Sequence, residues 1–178
     1  MYHPDVTDGV VLDLKIRGAE PSDTPEIKGL IISILEQEFH ASMEFYGGTD
    51  LDDIPSNYSG AREAFYVAEL NGRIVGTCGI KEDDAHTAML RRVFLHPAHR
   101  KKGYGAILLG KAVDFCREQG YRTITFRGTS EMASAIQLCR RASFREREVL
   151  KIGALQVVIL AKDIASTGNS ARPVAARS

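Results

Sequence analysis

Apolar and polar residues alternate over residues 10–17 (VVLDLKIR), a two-residue period that predicts a strand ending at Gly18. The period then changes. Ile27, Leu30, Ile31, Ile34 and Leu35 recur at helical spacing behind Ser22 and Asp23 as candidate N-caps, with Pro25 in the first turn, so an amphipathic helix follows. Residues 40–64 are acidic and interrupted by glycine, and read as loop with a short helix begun by DLDDI. AFYVAEL and RIVGTCGI flank Asn71-Gly72, the dipeptide favoured in two-residue hairpins, which predicts antiparallel pairing of 65–70 with 73–80. TAMLRRVFLHP forms the third strand of this meander and ends at Pro97. From Gly103 to about Gln119 the apolar positions Ile107, Leu108, Ala112, Val113 and Cys116 follow helical spacing, and Gly120 supplies a stop. YRTITFRG returns to strand, SEMASAIQLCRRASF reads as a helix capped by Ser130, and strands at 144–151 and 155–162 turn at Gly153. This order implies an α/β chain with a mixed sheet and helices on both faces. Residues 10–162 form the domain, with residues 1–9 expected as a flexible N-terminus and 163–178 as a disordered tail poor in apolar residues.

The length of 178 residues fits one domain, which at this size buries roughly 70% of its unfolded surface without help from disulfides or metal. Cys78, Cys116 and Cys139 form no C-x-x-C pair, so a reducing compartment is expected. The His and Cys residues show no metal-ligand spacing, and no metal is expected. The first twenty residues hold acids and a proline where a signal peptide needs a basic start, and no 18-residue apolar run occurs, so the expected location is the cytoplasm with no membrane partner.

Charge changes the picture more. The 23 basic and 23 acidic side chains cancel, but unevenly: residues 1–88 carry 6 basic against 17 acidic, and residues 89–147 carry 13 against 4. The basic half suits an anion. Its charge gathers at one turn without interleaved aromatics, so no nucleic-acid partner is expected.

That turn is the candidate chemistry. A strand runs into Arg100-Lys101-Lys102-Gly103-Tyr104-Gly105-Ala106, where a helix starts. Glycines 103 and 105 let backbone approach a ligand, the first-turn N–H groups have no internal partners, and the helix dipole and three cations favour a pyrophosphate. Neither G-x-x-x-x-G-K-[ST] nor G-x-G-x-x-G is present, which excludes a Walker loop and a dinucleotide turn.

Arg100 to Gly105 resembles the [QR]-x-x-G-x-[GA] acetyl-CoA signature of the GNAT acetyltransferase superfamily, and VFLHPAHR before it resembles that family's strand exit. IRGAEPSDTPEIKGLI, FYVAELNGRIVGTCGI and LCRRASF, against the family's L-Y-x-x-x-G-F, extend the resemblance over roughly residues 10–162. It implies the GNAT fold: a mixed, mostly antiparallel sheet of about six to seven strands whose central pair, here 87–97 and 121–128, splays to admit acetyl-CoA. It implies an acyl-CoA N-acetyltransferase acting by direct attack of a primary amine of a small molecule or amino acid. The backbone of Val93, Phe94 and Leu95 would bind the pantetheine. Lys101 to Ala106 would cradle the pyrophosphate, with charge from Arg100 and Lys102, and Arg140 or Arg141 would reach the adenosine phosphate. A homodimer stays open.

Two departures matter. Met89 stands where the family often has a glutamate base, leaving Glu69 as the nearest replacement, with His86 and Glu131 as further options. Cys139 stands where the family has its acid tyrosine, and is either a thiol donor or a packing residue; Ser143 replaces the motif glycine. These absences motivate the alternative of a catalytically weak acetyl-CoA or CoA sensor. For the acceptor, Arg127 and one of Arg91 and Arg92 would suit a carboxylate, while Glu44, Asp50, Asp52 and Asp53 would suit an amine or polyamine. Strand alternation places Met89, Arg91 and Val93 on one face and Leu90, Arg92 and Phe94 on the other. The charge division favours the cationic acceptor slightly.

Overall fold

The computed structural model describes residues 6–7, 10–11, 13–40, 46 and 48–165. Short strands β1 (Val6–Thr7) and β2 (Val10–Val11) pair with each other, inside and just after the stretch expected to be flexible. The main sheet holds β3 (Leu14–Gly18), β4 (Ala64–Leu70), β5 (Arg73–Glu82), β6 (Thr87–Leu95), β7 (Thr123–Thr129), β8 (Arg145–Ile152) and β9 (Leu155–Asp163). Their order is β3-β4-β5-β6-β7-β9-β8, antiparallel throughout except for the parallel pair β6 and β7. The helices are α1 (Thr24–Glu38), the single turn α2 (Ile54–Asn57), α3 (Tyr104–Glu118) and α4 (Ala133–Arg141). Seven strands and this topology agree with the mixed, mostly antiparallel sheet expected from sequence.

Each expected element forms for the reason its pattern gave. Asn71 and Gly72 both adopt positive φ, 50° and 81°, the conformation a two-residue turn requires between β4 and β5. Strand β5 is buried at every residue from Ile74 to Ile80, as a strand covered on both faces must be. Ile27, Ile31, Ile34 and Leu35 of α1 and Leu108, Leu109, Ala112 and Val113 of α3 bury their stripes in the same core. Two boundaries differ. Helix α4 starts at Ala133 with Met132 as its N-cap, because Ser130 still continues the pairing of β7 with β9, its N–H on Gln156 O at 2.8 Å. Strand β9 runs to Asp163 and Ile164 is buried, its N–H bonded to Arg122 O at 2.8 Å, so packing continues past residue 162; residues 166–178 lie outside the described residues.

Candidate active site

The site begins where the parallel ladder stops. β6 and β7 pair from Thr87↔Thr123 to Leu90↔Phe126 and then part, so the edge of β6 from Arg91 to Leu95 that faces β7 has no ladder partner. A bulge sits at the parting point: Arg92 and Val93 oppose the single residue Cys78, and Arg92 has φ 54°. The bulge overturns the regular alternation expected along β6, because Arg92, Val93 and Phe94 are all buried in succession. Thr77 Oγ1 donates to Arg92 O at 2.7 Å, and the Arg92 guanidinium donates through Nε to Asp50 Oδ2 at 3.0 Å, through Nη2 to Asp50 Oδ1, and through Nη1 to Tyr46 O. Tyr58 Oη also donates to Asp50 Oδ2, at 2.9 Å. Burial pushes the Asp50 carboxyl up, but the bonds and charge of Arg92 outweigh it and hold the group below its ordinary range.

Two cavities open from this fork. The larger, about 940 Å³, is lined by Val93, Phe94, Leu95, Arg100, Lys101, Gly103, Gly105 and Ala106 together with residues of α3 and α4. The smaller, about 250 Å³, is lined by Tyr46, Met89, Arg91, Arg92, Phe126 and Arg127 among others. Val93, Phe94 and Met132 line both, so the two meet at the bulge.

The large cleft ends at the start of α3. Tyr104, Gly105 and Ala106 precede the first intrahelical bond, Ile107 N–H to Gly103 O at 3.2 Å, so their amides are helix-start donors. The two glycines have different tasks. Gly103 is the N-cap at φ 85°, a conformation costly for a side chain, with open space where a Cβ would stand. Gly105 admits a neighbour rather than a ligand: a Cβ there would lie 3.1 Å from the Leu138 side chain, so this glycine lets α4 pack on α3.

The cations divide. Arg100 is spent on Glu38 through two bonds of 2.6 and 2.7 Å, with its Nε on Leu95 O, and its hydrogen bonds hold Glu38 below the usual carboxylate range. It therefore ties the end of α1 to the exit of β6. Lys101 and Arg141 line the cleft and form no ion pair with the described residues. Lys102 is exposed and not among the lining residues, and Tyr104 contributes a buried ring below the backbone. Arg140 pairs with Glu146 at 3.2 Å instead of lining the cleft. Arg141 lines the cleft with Gln137, Leu138 and Ala142, and its neighbour Arg140 does not.

The structure does not bring Glu69 or Cys139 to the cleft. Glu69 accepts from Arg17 Nε at 2.6 Å, in a cluster where Arg17 also grips Asp23, fastening β3 to β4 and α1. Cys139 is fully buried, and burial pushes its thiol up to about 12. His86 is exposed in the turn before β6, its N–H on Asp84. Glu131 is half-buried near Tyr46, and its charge acts on the Tyr46 hydroxyl. The acids expected to favour a cationic acceptor have partners of their own: Asp50 holds Arg92, Asp52 holds Lys28, and Asp53 caps α2 through Ser56. Glu44 lies outside the described residues. Tyr46 was missed by sequence because its segment carries no periodicity; its hydroxyl accepts the Thr129 N–H at 2.8 Å, at the free end of β7.

Residues 31–144 match the model of the acetyltransferase (GNAT) family. The chain belongs to that family. Among GNAT relatives it is 28% identical over 118 residues to the probable N-acetyltransferase camello of Xenopus tropicalis, covering 65% of this chain and 54% of that protein. It is 29% identical over 104 residues to human N-acetyltransferase 8, covering 55% and 46%. The chain thus spans about half the length of the curated relatives it matches. Its fold is shared with a GNAT acetyltransferase of Staphylococcus aureus Mu50, at TM-score 0.73 and 24% identity over 85% of this chain and 99% of that one. It is also shared with yncA of Salmonella typhimurium, solved with acetyl-CoA, at TM-score 0.66 and 19% identity over 88% and 96%. No described helix is long and apolar enough to cross a membrane, and the described residues hold no cluster of three or more potential metal ligands.

Proposed function

We propose that this GNAT chain transfers the acetyl group of acetyl-CoA to a primary amine of a small molecule or amino acid, by direct attack. The observation that carries the reading is the meeting of two cavities at Val93 and Phe94, on a strand edge without ladder partners. The large cleft fits an elongated donor that ends in phosphates. Free amides at Tyr104 to Ala106 and the positive end of α3 face that end, with Lys101 and Arg141 adding charge, and the β6 edge offers amide hydrogen bonds to a pantetheine arm. The small cavity takes the acceptor.

In the step itself the amine nitrogen bonds to the thioester carbonyl carbon, the carbon–sulfur bond breaks, and CoA leaves with a proton as the thiol. A backbone N–H on the unpaired β6 edge is positioned to steady the oxyanion. No covalent acyl-enzyme is invoked, because nucleophilic sulfur is the thiolate and burial pushes Cys116 and Cys139 up to about 12 and Cys78 higher still. Among the described residues, no carboxylate or histidine lines the small cavity. Its arginines do part of a base's work, since nearby cations disfavour an ammonium and so favour the reactive neutral amine, whose proton leaves through water.

Thiol release from acetyl-CoA across a panel of amines and amino acids tests the reading. Turnover on small amines is expected. Tight acetyl-CoA binding without turnover on any amine, peptide or protein would replace it by the sensor alternative.

A further inference from the structure

The parallel register of β6 and β7 ends at Leu90↔Phe126, and the next residue on each strand is an arginine. Met89↔Thr125 is the preceding pair on that face, so Arg91 and Arg127 follow on the same face where the strands part, and both reach the same small cavity. Like charges in adjacent strand positions repel. Neither guanidinium forms an ion pair or hydrogen bond with the described residues, whereas Arg17, Arg62, Arg92, Arg100 and Arg147 of the sheet and its turns each hold a carboxylate. Both line the 250 Å³ cavity, and among the described residues no carboxylate does.

The nearest acid cannot neutralise them. Asp50 feels the field of Arg91, but Oδ1 is committed to Arg92 and Oδ2 to Arg92 and Tyr58. Glu131 acts on Tyr46 and does not line the cavity. Three arginines thus surround a small space in which one counter-charge is already taken by Arg92.

We infer that Arg91 and Arg127 form a two-arginine fork for a carboxylate of the acceptor, so that the acceptor is an amino-carboxylic acid of about amino-acid size. The inference rests on the acetyl-transfer reading and names its substrate class. A guanidinium presents paired N–H donors that match a carboxylate, and two of them share it without losing a structural partner. With the carboxylate at the fork, the amine points toward Val93 and Phe94, where the two cavities meet. The volume is below the range usual for drug-sized ligands, which limits the acceptor to a small molecule.

Two measurements test it separately from the activity. First, kcat/KM is compared for amino acids and for their decarboxylated amines. The wild type is expected to prefer the amino acid by about tenfold or more, and Arg91→Met and Arg127→Met each to reduce that ratio by about tenfold, since a hydrogen bond to a charged group is worth that much. Arg127→Lys, which keeps charge but not the fork, falls between. Second, calorimetry with CoA present measures binding of an N-acetylamino acid and of the matching N-acetylamine, which requires no turnover. The acid is expected to bind about tenfold tighter, and to lose that margin in either variant. Equal affinity for acid and amine, or equal losses on both ligands in the variants, would overturn the fork. So would tighter binding of a phosphonate analogue than of the carboxylate. Absent turnover with an intact acid preference in calorimetry would instead overturn the acetyl-transfer reading and leave the fork standing.

Discussion

The donor cleft and the acceptor cavity share Val93, Phe94 and Met132 but are built from different materials. The donor side is backbone: a strand edge left open by the splay, helix-start amides, and a left-handed Gly103. Its best-placed arginine, Arg100, is diverted to Glu38 without emptying the site of donors. The acceptor side is side chain: three arginines, one of them held by Asp50, and a tyrosine, gathered from segments more than 80 residues apart, Tyr46 meeting Thr129. A backbone site tolerates substitution because every residue supplies an amide. A side-chain site changes its ligand with each charge, so on the proposed reading the donor follows from the fold, whereas the acceptor follows from Arg91, Arg92 and Arg127.

The sharpest break between the two sides is Asp50→Ala. It would leave Arg92 buried without its counter-charge at the bulge, a loss of about 3–5 kcal/mol in denaturant unfolding. Asp50→Leu with Arg92→Met, which removes both charges, should recover much of that loss. In whichever form folds, acceptor KM is expected to rise about tenfold or more while acetyl-CoA Kd moves less than about threefold. Equal damage on both sides would show that the bulge, not the charge, governs both cavities.

Gly103→Glu attacks the other side. Open space receives the side chain, so the fold loses only the left-handed penalty of about 1–2 kcal/mol, while a carboxylate enters the anion site. Acetyl-CoA affinity in calorimetry is expected to fall about 100-fold or more. Retained affinity would move the pyrophosphate elsewhere.

Acid titration separates them again. Asp50, Asp23 and Glu38 all sit below their ordinary range in the folded protein, Asp23 and Glu38 mainly through hydrogen bonds from Arg17 and Arg100. Groups depressed on folding contribute stability that is present above their unfolded values near pH 4 and is lost as pH falls through the lower folded values. Stability against denaturant should therefore hold from neutral pH to about pH 4 and decline below it. Glu38→Gln should make that decline shallower and leave the acceptor preference unchanged. A flat profile through pH 3 would contradict these pairings.

The two residues taken from the sequence as catalytic give smaller effects. A general acid or base is worth about 100-fold or more, so Glu69→Gln and Cys139→Ala, which line neither cavity, should each lower turnover less than about tenfold. A larger loss in a folded variant would restore the residue to the chemistry.

How much was legible follows the same division. Strand periodicity and the Asn71-Gly72 turn are local patterns that located the sheet, and the Arg100 to Gly105 signature carried the resemblance that implied the splay. The bulge has no local mark, since Arg92 takes φ 54° where no glycine signals it, held by Thr77 of β5 and by Tyr46 and Asp50 of the segment after α1. Charge counts misled for a related reason. The acids of residues 50–53 looked like an acceptor wall, but each is consumed by a structural partner that only the fold brings near. Once the pairs are removed, Arg91 and Arg127 remain as the arginines of the small cavity without an ion pair among the described residues.

The smallest effect lies at the end of α4, where Ser143 replaces the family's glycine. Its φ of 68° is left-handed, and its N–H closes the helix on Arg140 O at 3.0 Å. A serine there bears the clash between Cβ and backbone that glycine avoids, so Ser143→Gly should relieve about 1 kcal/mol of strain, less the entropy glycine gains in the unfolded chain. Net stabilisation of about 0.5 kcal/mol is expected in denaturant midpoints, with the slope unchanged. Ser143→Ala, which keeps the Cβ, should gain nothing. Because Ala142 and Arg141 just before it line the donor cleft while the acceptor cavity lies beyond Met132, any change in Ser143→Gly kinetics should appear in acetyl-CoA affinity and not in the acid-to-amine ratio. A shift in that ratio would mean that the helix end, and not the arginine fork alone, positions the acceptor.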